Sequence, residues 1–490
     1  MAELTVNGRA LQIDEADLDP HTTLLDFLRD RGLVGTKEGC AEGECGACAV
    51  ALVRPDAETG GSSYVAINSC LTLVGSVLGG EVISVEGVEL GEGSPHPVQV
   101  AMAQGGGSQC GYCTPGFVVS MFAEYYRRDR PFWDPEAIAG NLCRCTGYRP
   151  IRDAMRSLGS PEDGDPHRAR LDRAAPSIGA LTQLRTRADG PRRLLRPESL
   201  DALLTALAAE PEAKLVAGGT DVVVEINQRQ ARWPTLIALE AVDELRAIVD
   251  EPDRILVGAG VSLTQLEHRL GGRVPLLAEL FPLFSSRLIR NRATLGGNLV
   301  NASPIGDSPP ALLALDASVI LRSASAEREV PLAEFFTGYR ETVLAPGELL
   351  THVAIPKRPP THGHFYKVSK RVLDDISTVA AGLAVDLDAQ GVVTRARLAY
   401  GGVAATPARA RAAEDALVGK PWTRETVAAI APTIASGFTP MTDHRGSADY
   451  RRAMCGRLLE KFFHETQTGR RIGPQPPPTI LTLSGRGATA

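Results

Sequence analysis

The sequence predicts a multidomain α+β protein, and three observations carry that reading. Its 490 residues exceed the length over which one hydrophobic core keeps growing. Eight of its nine cysteines fall before residue 146, in two separate groups, so the first third of the chain has a task the rest does not share. The apolar pattern also changes along the chain, from short strand-length runs, to helical periodicity, to alternating helices and strands.

Taken in order, a first domain is expected over residues 1–86. Apolar runs at 4–6 and 10–13 flank Asn7-Gly8, the dipeptide best suited to the two positive φ angles of a type I′ hairpin turn. Thr22 or Thr23 can cap a helix whose buried face is Leu24, Leu25, Phe27 and Leu28, with Gly32 as a left-handed stop. A glycine-rich loop at 35–46 precedes strand-like runs at 49–53, 64–67 and 82–85. Over 87–160 the pattern becomes helical, with Phe117, Val118, Met121, Phe122 and Tyr125 sharing one face. Residues 161–190 are rich in Arg, Asp, Pro, Gly and Ser and read as a linker. From 191 to 362 helical and strand patterns alternate, as in an α/β domain. Residues 363–472 open with a strand pair around Gln390-Gly391 and continue as helices, a C-terminal α+β subdomain; the Pro- and Gly-rich end, 473–490, reads as a flexible tail.

Composition is that of an ordinary globular chain, with 43% hydrophobic and 22% charged residues. A formal charge of -6 and the lack of any basic block with interleaved aromatics argue against nucleic acid as a partner. The first fourteen residues alternate apolar with polar and include Glu3 and Asp14, so no signal-peptide core is expected; nor is a membrane span, and a cytoplasmic location follows as an expectation. In that setting clustered cysteines bind metal or do redox chemistry more often than they form disulfides.

The first cysteine group reads C-x4-C-x2-C followed by a distant fourth: Cys40, Cys45, Cys48 and Cys70. This is the plant-type [2Fe-2S] spacing. Gly39, Gly43 and Gly46 allow backbone N–H groups to approach bridging sulfides closely. Zinc is the rival ligand, but a zinc ribbon shows two similar C-x2-C hooks, which this group lacks. The second group, Cys110 and Cys113 with Cys143 and Cys145, is a C-x2-C hook and a C-x-C hook; by spacing alone it suits zinc or iron-sulfur.

The text around both groups resembles a known family. Glu38-Gly39-Cys40 through Cys48, Gln109-Cys110-Gly111-Tyr112-Cys113-Thr114-Pro115-Gly116, and Asn141-Leu142-Cys143-Arg144-Cys145-Thr146-Gly147-Tyr148-Arg149-Pro150 are similar to the iron-sulfur domains of molybdenum hydroxylases, the xanthine dehydrogenase and aldehyde oxidase family. The resemblance covers essentially residues 1–156 and departs at none of the eight cysteines. It implies a β-grasp plant-type ferredoxin domain, then a four-helix domain, each with one [2Fe-2S] cluster, the second lying nearer the molybdenum cofactor.

Further on, Leu215-Val216-Ala217-Gly218-Gly219-Thr220-Asp221 places two glycines and a threonine directly after a strand, where backbone N–H groups can wrap a pyrophosphate. An unremarkable turn has the same look. A second glycine site, Thr294-Leu295-Gly296-Gly297-Asn298, precedes Asp307, and neither a Rossmann nor a Walker motif is present. Together these segments resemble the non-Rossmann FAD-binding domain of the same family. By that resemblance the FAD contacts are Leu215, Val216, Ala217, Gly218, Gly219, Thr220, Asp221, Val222, Thr294, Gly297, Asn298, Asp307, Leu350 and Lys367. Phe284 matches an aromatic over the flavin, and Tyr339 a residue near the nicotinamide site; core packing is the alternative for both. In the loop Lys370-Arg371-Val372-Leu373-Asp374-Asp375, apolar Val372 and Leu373 depart from more charged relatives. His362 and His364 read as solvated loop histidines, and Cys455 as a small buried side chain.

The chain leaves no length for a molybdopterin domain. The resemblance therefore implies a molybdopterin-binding large subunit as partner, in a dimer of heterodimers, as with the small iron-sulfur and FAD subunit of bacterial xanthine dehydrogenases. Xanthine or hypoxanthine would be hydroxylated on that partner, toward urate in purine catabolism, and electrons would leave to NAD+; no catalytic residue for hydroxylation is expected here. The rivals are the same role with an aldehyde or an N-heterocycle such as nicotinate, a stand-alone NADH-linked flavin reductase, and an assembly subunit without cofactors.

Overall fold

The computed structural model describes residues 2–14, 18–56, 59–128, 132–185 and 192–473. The chain divides into two compact units, Met1–Asp243 with Ser286–Ala293, and Glu244–Ser285 with Thr294–Ala490.

The first unit opens with strands β1 (Ala2–Val6) and β2 (Arg9–Ile13), paired antiparallel around Asn7 and Gly8, whose φ angles of 52° and 75° are those of the expected turn. Helix α1 (Leu24–Asp30) is capped by Thr23, which accepts from the Asp26 N–H and donates to its carboxylate. With β3 (Ala49–Pro55), β4 (Ser62–Asn68) and β5 (Glu81–Ile83) the strands form one sheet in the order β2-β1-β5-β3-β4; β1 and β5 run parallel, the pairing a β-grasp fold uses. A short helix, α2 (Val74–Val77), precedes β5.

The two faces of this sheet bury different partners. One packs Leu4, Val6, Val50, Leu52 and Ile67 on α1. The other packs Ala49, Ala51, Val53 and Tyr64 against Phe117, Val118, Phe122 and Tyr125 of the helical domain. That domain comprises α3 (Pro97–Gln104), α4 (Thr114–Tyr125) and α5 (Arg149–Ser157).

The stretch expected as a linker is ordered where it is described. Asp165 caps α6 (Pro166–Leu171), and Arg170 of this helix pairs with Glu81 at 2.6 Å. Strand β6 (Leu181–Arg185) then joins a second sheet. Composition suggested a linker because most of its anchors are long-range polar contacts, which leave no apolar period. Residues 186–190, and the expected tail from 474 onward, lie outside the described residues.

The second sheet runs β6-β7-β9-β8, with β7 (Arg193–Arg196), β8 (Lys214–Val216) and β9 (Thr235–Ala238) parallel; α7 (Leu200–Ala209) and α8 (Val222–Arg229) connect them. Leu194, Val216, Val223, Ile226 and Leu236 join the same apolar core as β1 and α1. Buried Arg196 donates to the Gly75 and Leu78 carbonyls at 2.7 and 2.8 Å. The first part of the α/β region thus shares one apolar core with the ferredoxin-like part.

The second unit holds a five-stranded antiparallel sheet ordered Ile248–Asp250, Arg254–Gly258, Leu349–Pro356, Ser318–Arg322, Glu327–Pro331. A four-stranded sheet in the same unit is His362–Val368, Val379–Leu387, Val393–Gly401 and Ala408–Arg409, covered by helices Arg424–Ser436 and Ala448–Thr468. Cys455 is fully buried in that core, as expected. His362 and His364 correct the loop reading: both lie on a strand, and His364 Nδ1 sits 2.8 Å from Glu279. The flanking Pro and Gly concealed a ladder that pairs His362 with Val385 and Val368 with Val379.

Candidate iron-sulfur and flavin sites

The first cysteine group lies on the loop between α1 and β3 and on the turn after β4. Cys48 and Cys70 are buried with their sulfurs 3.3 Å apart, near the roughly 3.8 Å that separates two thiolates on one tetrahedral metal. Cys40 and Cys45 form the other pair through a thiol hydrogen bond. Sharing protons splits each pair: the bond from Cys45 lowers the Cys40 pKa to about 5 and raises that of Cys45, while Cys70 likewise lowers Cys48 and is itself raised. Asn68 donates to the Gly43 carbonyl at 2.9 Å and faces the Cys48 sulfur, while Ser69 Oγ donates to the Cys48 carbonyl at 2.7 Å. At Gly39 a Cβ would come within 2.7 Å of the Cys45 sulfur, so only glycine leaves room there.

The second group pairs Cys110 with Cys145 and Cys113 with Cys143, again by thiol hydrogen bonds. Both hooks flank helix starts: Cys113 precedes α4, and Tyr148, at φ 69°, precedes α5. The Thr146 amide lies 3.4 Å from the Cys143 sulfur, and its hydroxyl 3.1 Å. Among the described residues no three His, Cys, Asp or Glu side chains gather on one mononuclear ion. The eight thiols approach two by two, the donor set of binuclear clusters with two thiolates per iron. Cys110 and Cys145 are exposed, with half-exposed Tyr112 and Tyr148 and exposed Leu142 around them.

The two groups are joined directly. The Leu142 amide, next to Cys143, donates to the Cys45 carbonyl at 3.0 Å, and buried Asn141 donates to the Gly46 carbonyl at 3.0 Å. The approach is so close that a Cβ on Gly116 would lie 2.1 Å from the Gly46 oxygen. Below this junction Glu136 is buried and receives Arg287 at 2.8 Å and Arg290, while Asp134 receives Arg287 at 2.9 Å. Sequence reasoning missed these carboxylates and arginines because they lie some 150 positions apart; Asn141 could have been singled out beside Cys143.

The candidate flavin residues fall in both units. In the first, Leu215 and Val216 end β8, and residues 217–221 turn into α8, of which Asp221 is the N-cap and Val222 the first residue. Gly219 has φ 82°, and a Cβ on Gly218 would lie 1.9 Å from the Arg292 carbonyl oxygen. Arg292 also donates to the Gly218 carbonyl at 3.2 Å and pairs with buried Glu240 at 2.6 Å.

In the second unit Thr294 caps helix Leu295–Val300, accepting from the Gly297 N–H at 3.1 Å. Gly297 is exposed, and a Cβ there would meet only the Thr294 hydroxyl, so the helix start is open to a ligand. Asn298 accepts from Ser308, beside Asp307. Buried Asp307 takes Lys367 at 2.7 Å and the Ser377 hydroxyl; Lys367 also donates to the Leu283 carbonyl at 2.8 Å, which sets half-buried Phe284 beside this pair. Leu350 is buried on a strand packed against the Thr294-capped helix. Tyr339 is 61% exposed, and neighbouring Arg340 donates to Asn301 at 3.2 Å. One unit thus gathers Phe284, Thr294, Gly297, Asn298, Asp307, Leu350 and Lys367.

Comparison with known proteins finds matches over the same stretches of chain. Family models match for a "2Fe-2S iron-sulfur cluster binding domain" over residues 4–75, a "[2Fe-2S] binding domain" over 84–156, a "FAD binding domain in molybdopterin dehydrogenase" over 188–358, and a "CO dehydrogenase flavoprotein C-terminal domain" over 364–466. The chain is 33% identical to xanthine dehydrogenase of Emericella nidulans, across 94% of this chain and 38% of that protein. It is 32% identical to xanthine dehydrogenase/oxidase of Mus musculus with the same coverage. It therefore spans 38% of the length of these relatives. Among solved structures, a chain of carbon monoxide dehydrogenase from Hydrogenophaga pseudoflava aligns at TM-score 0.52 and 31% identity, covering 55% of this chain and 94% of that one. Quinoline 2-oxidoreductase from Pseudomonas putida 86 aligns at TM-score 0.52 and 29% identity, covering 56% and 96%. With both iron-sulfur domains and the flavin domain matched in order, the chain belongs to the molybdenum hydroxylase family, the family of xanthine dehydrogenase and aldehyde oxidase.

Proposed function

We propose that this chain is the electron-transfer subunit of a xanthine dehydrogenase, working with a separate molybdopterin-binding subunit in a dimer of heterodimers. Electrons released when the partner oxidises hypoxanthine or xanthine would be carried by the second [2Fe-2S] cluster, the first and FAD to NAD+. The observation that carries this reading is the pair of four-thiol sets joined through the Cys45 carbonyl and the Leu142 amide. Likeness to xanthine dehydrogenases over 94% of the chain supports the substrate.

Cys40, Cys45, Cys48 and Cys70 hold the first cluster, and Cys110, Cys113, Cys143 and Cys145 the second. When bound, the clusters supply one-electron chemistry and FAD converts it to hydride transfer. The remaining work belongs to the chain's own groups. For FAD, residues 215–222 would offer backbone N–H groups at their turn; in the other unit, taken by itself, Thr294, Gly297 and Asn298 would offer backbone N–H groups and a hydroxyl. The Asp307–Lys367 pair presents fixed charge, Leu350 and Phe284 would offer apolar and aromatic contact to the flavin, and Tyr339 would do so for the nicotinamide. Exposure of Cys110 and Cys145 beside Tyr112, Leu142 and Tyr148 supports entry of electrons at this rim.

The deciding experiment isolates the complex from its native host through a tag on this chain and follows NADH formation on adding xanthine. Formation of NADH, with molybdenum in the same fraction, is the expected result. Likeness to quinoline 2-oxidoreductase favours a second reading, an N-heterocycle as the partner's substrate. No turnover of xanthine, with flavin and clusters bleached by NADH, would move the substrate to that class.

A further inference from the structure

Helix α8 starts at the glycine turn proposed for FAD and ends on the loop that carries the first cysteine group. Its eight residues span about 12 Å. Near its C-terminal end, Asn227 Nδ2 lies 2.9 Å from both the Ala41 and the Cys70 carbonyl oxygens, and Gln228 Nε2 lies 2.9 Å from that of Cys40. All three acceptors are carbonyls, which cannot donate, so the amide nitrogens must face them. Two of the three belong to proposed cluster ligands. A cleft of about 260 Å³ opens beside this contact, lined by Asn227, Ala41, Cys70, His21, Glu38 and Arg232.

We propose that Asn227 and Gln228 are positioning residues for the first cluster, holding its loop and raising its reduction potential. A donor on a ligand's carbonyl offsets the negative end of a dipole beside the cluster. Reduction adds one negative charge there, so the donors favour the reduced state. By the same contacts, α8 makes the flavin turn and the first cluster's loop ends of one rigid element. The proposal rests on the assignment of Cys40, Cys45, Cys48 and Cys70 to that cluster.

The test is an anaerobic redox titration of the full chain, followed by electron paramagnetic resonance, with the second cluster as internal reference. Asn227→Leu removes the donors while keeping the volume that excludes water. At fixed poise the reduced-to-oxidised ratio of the first cluster should fall about threefold to tenfold, roughly 28 to 59 mV for one electron. Asn227→Asp, which replaces donor by acceptor, should lower it further, and the second cluster and the FAD content should not change. An unmoved first potential with iron retained overturns the proposal, as do equal shifts in both clusters. Should Asn227→Leu lose only the first cluster, Gln228→Leu decides: a lowered first potential upholds the role and an unmoved one overturns it. A wild-type chain that binds no iron would instead sink the cysteine assignment itself.

Discussion

Substituting Gly116 by Ala tests the junction between the two iron-sulfur domains. The added methyl would lie 2.1 Å from the Gly46 carbonyl oxygen, where a C···O contact needs about 3.3 Å. The start of α4 and the cysteine loop must therefore part by about 1.2 Å. Two hydrogen bonds cross the same gap, Asn141 to Gly46 and Leu142 to Cys45, each 3.0 Å long. Parting would stretch them to about 4 Å, beyond useful length. Overpacking costs about 1 to 3 kcal/mol, and each lost bond about 1 kcal/mol, so the junction should weaken by about 3 to 5 kcal/mol. At about 2 to 4 °C per kcal/mol for a body of this size, the midpoint for bleaching of the visible cluster bands should drop by about 6 to 20 °C. Gly159→Ala, where a Cβ meets nothing within 4 Å, is the matched control and should leave the midpoint in place. If both variants melt within 2 °C of wild type by this criterion, the contact between Gly116 and Gly46 does not hold the two domains together.

Three further outcomes are expected. His96 is buried; it accepts the Val98 N–H at 3.1 Å on Nδ1 and meets Tyr126 at 2.8 Å on Nε2, and burial, with His167 nearby, lowers its pKa to about 4. Below pH 6.5 the unfolded chain then binds a proton that the folded chain refuses, so stability should fall by about 2 kcal/mol between pH 7.5 and 5; His96→Gln should flatten this slope in melting curves across the range. Burial pushes the Glu136 carboxyl up, but Arg290 and Arg287 outweigh it and hold it below 4.5, so its contribution is present above that pH and lost below it. Arg290→Met should cost about 3 to 5 kcal/mol in urea unfolding at pH 7, and Glu136→Gln in the same chain should recover part of that loss. Lys367→Met strips the buried Asp307 carboxylate of its cation and should cut FAD content at least tenfold while iron content holds; unchanged flavin absorbance would remove this pair from the proposed site.

Much of this architecture was legible because the signals are local. A cluster ligand set must fall on short loops, so C-x4-C-x2-C and the paired hooks of residues 110–145 stand out as spacings. The Asn7-Gly8 hairpin and the Thr23 cap are decided by two or three adjacent residues, and the structure has both. Thr294, which the sequence marked only as part of a glycine site, caps a helix through the Gly297 N–H three residues on.

What lay beyond the sequence depends on partners far apart in the chain. No period announces that Arg287 and Arg290 will meet Glu136 some 150 residues earlier, or that Arg196 will close on Gly75 and Leu78. Residues 161–185 looked like a linker because their anchors, such as Arg170 on Glu81, are polar and lie elsewhere in the chain. His364 looked solvated until its strand set it beside Glu279. Local spacing by itself determined which residues could bind iron and where flavin could sit. Only the tertiary structure decided which thiols pair, that Cys45 and Leu142 join the two sets, and that α8 reaches the first, since a backbone carbonyl as acceptor leaves no trace in residue type.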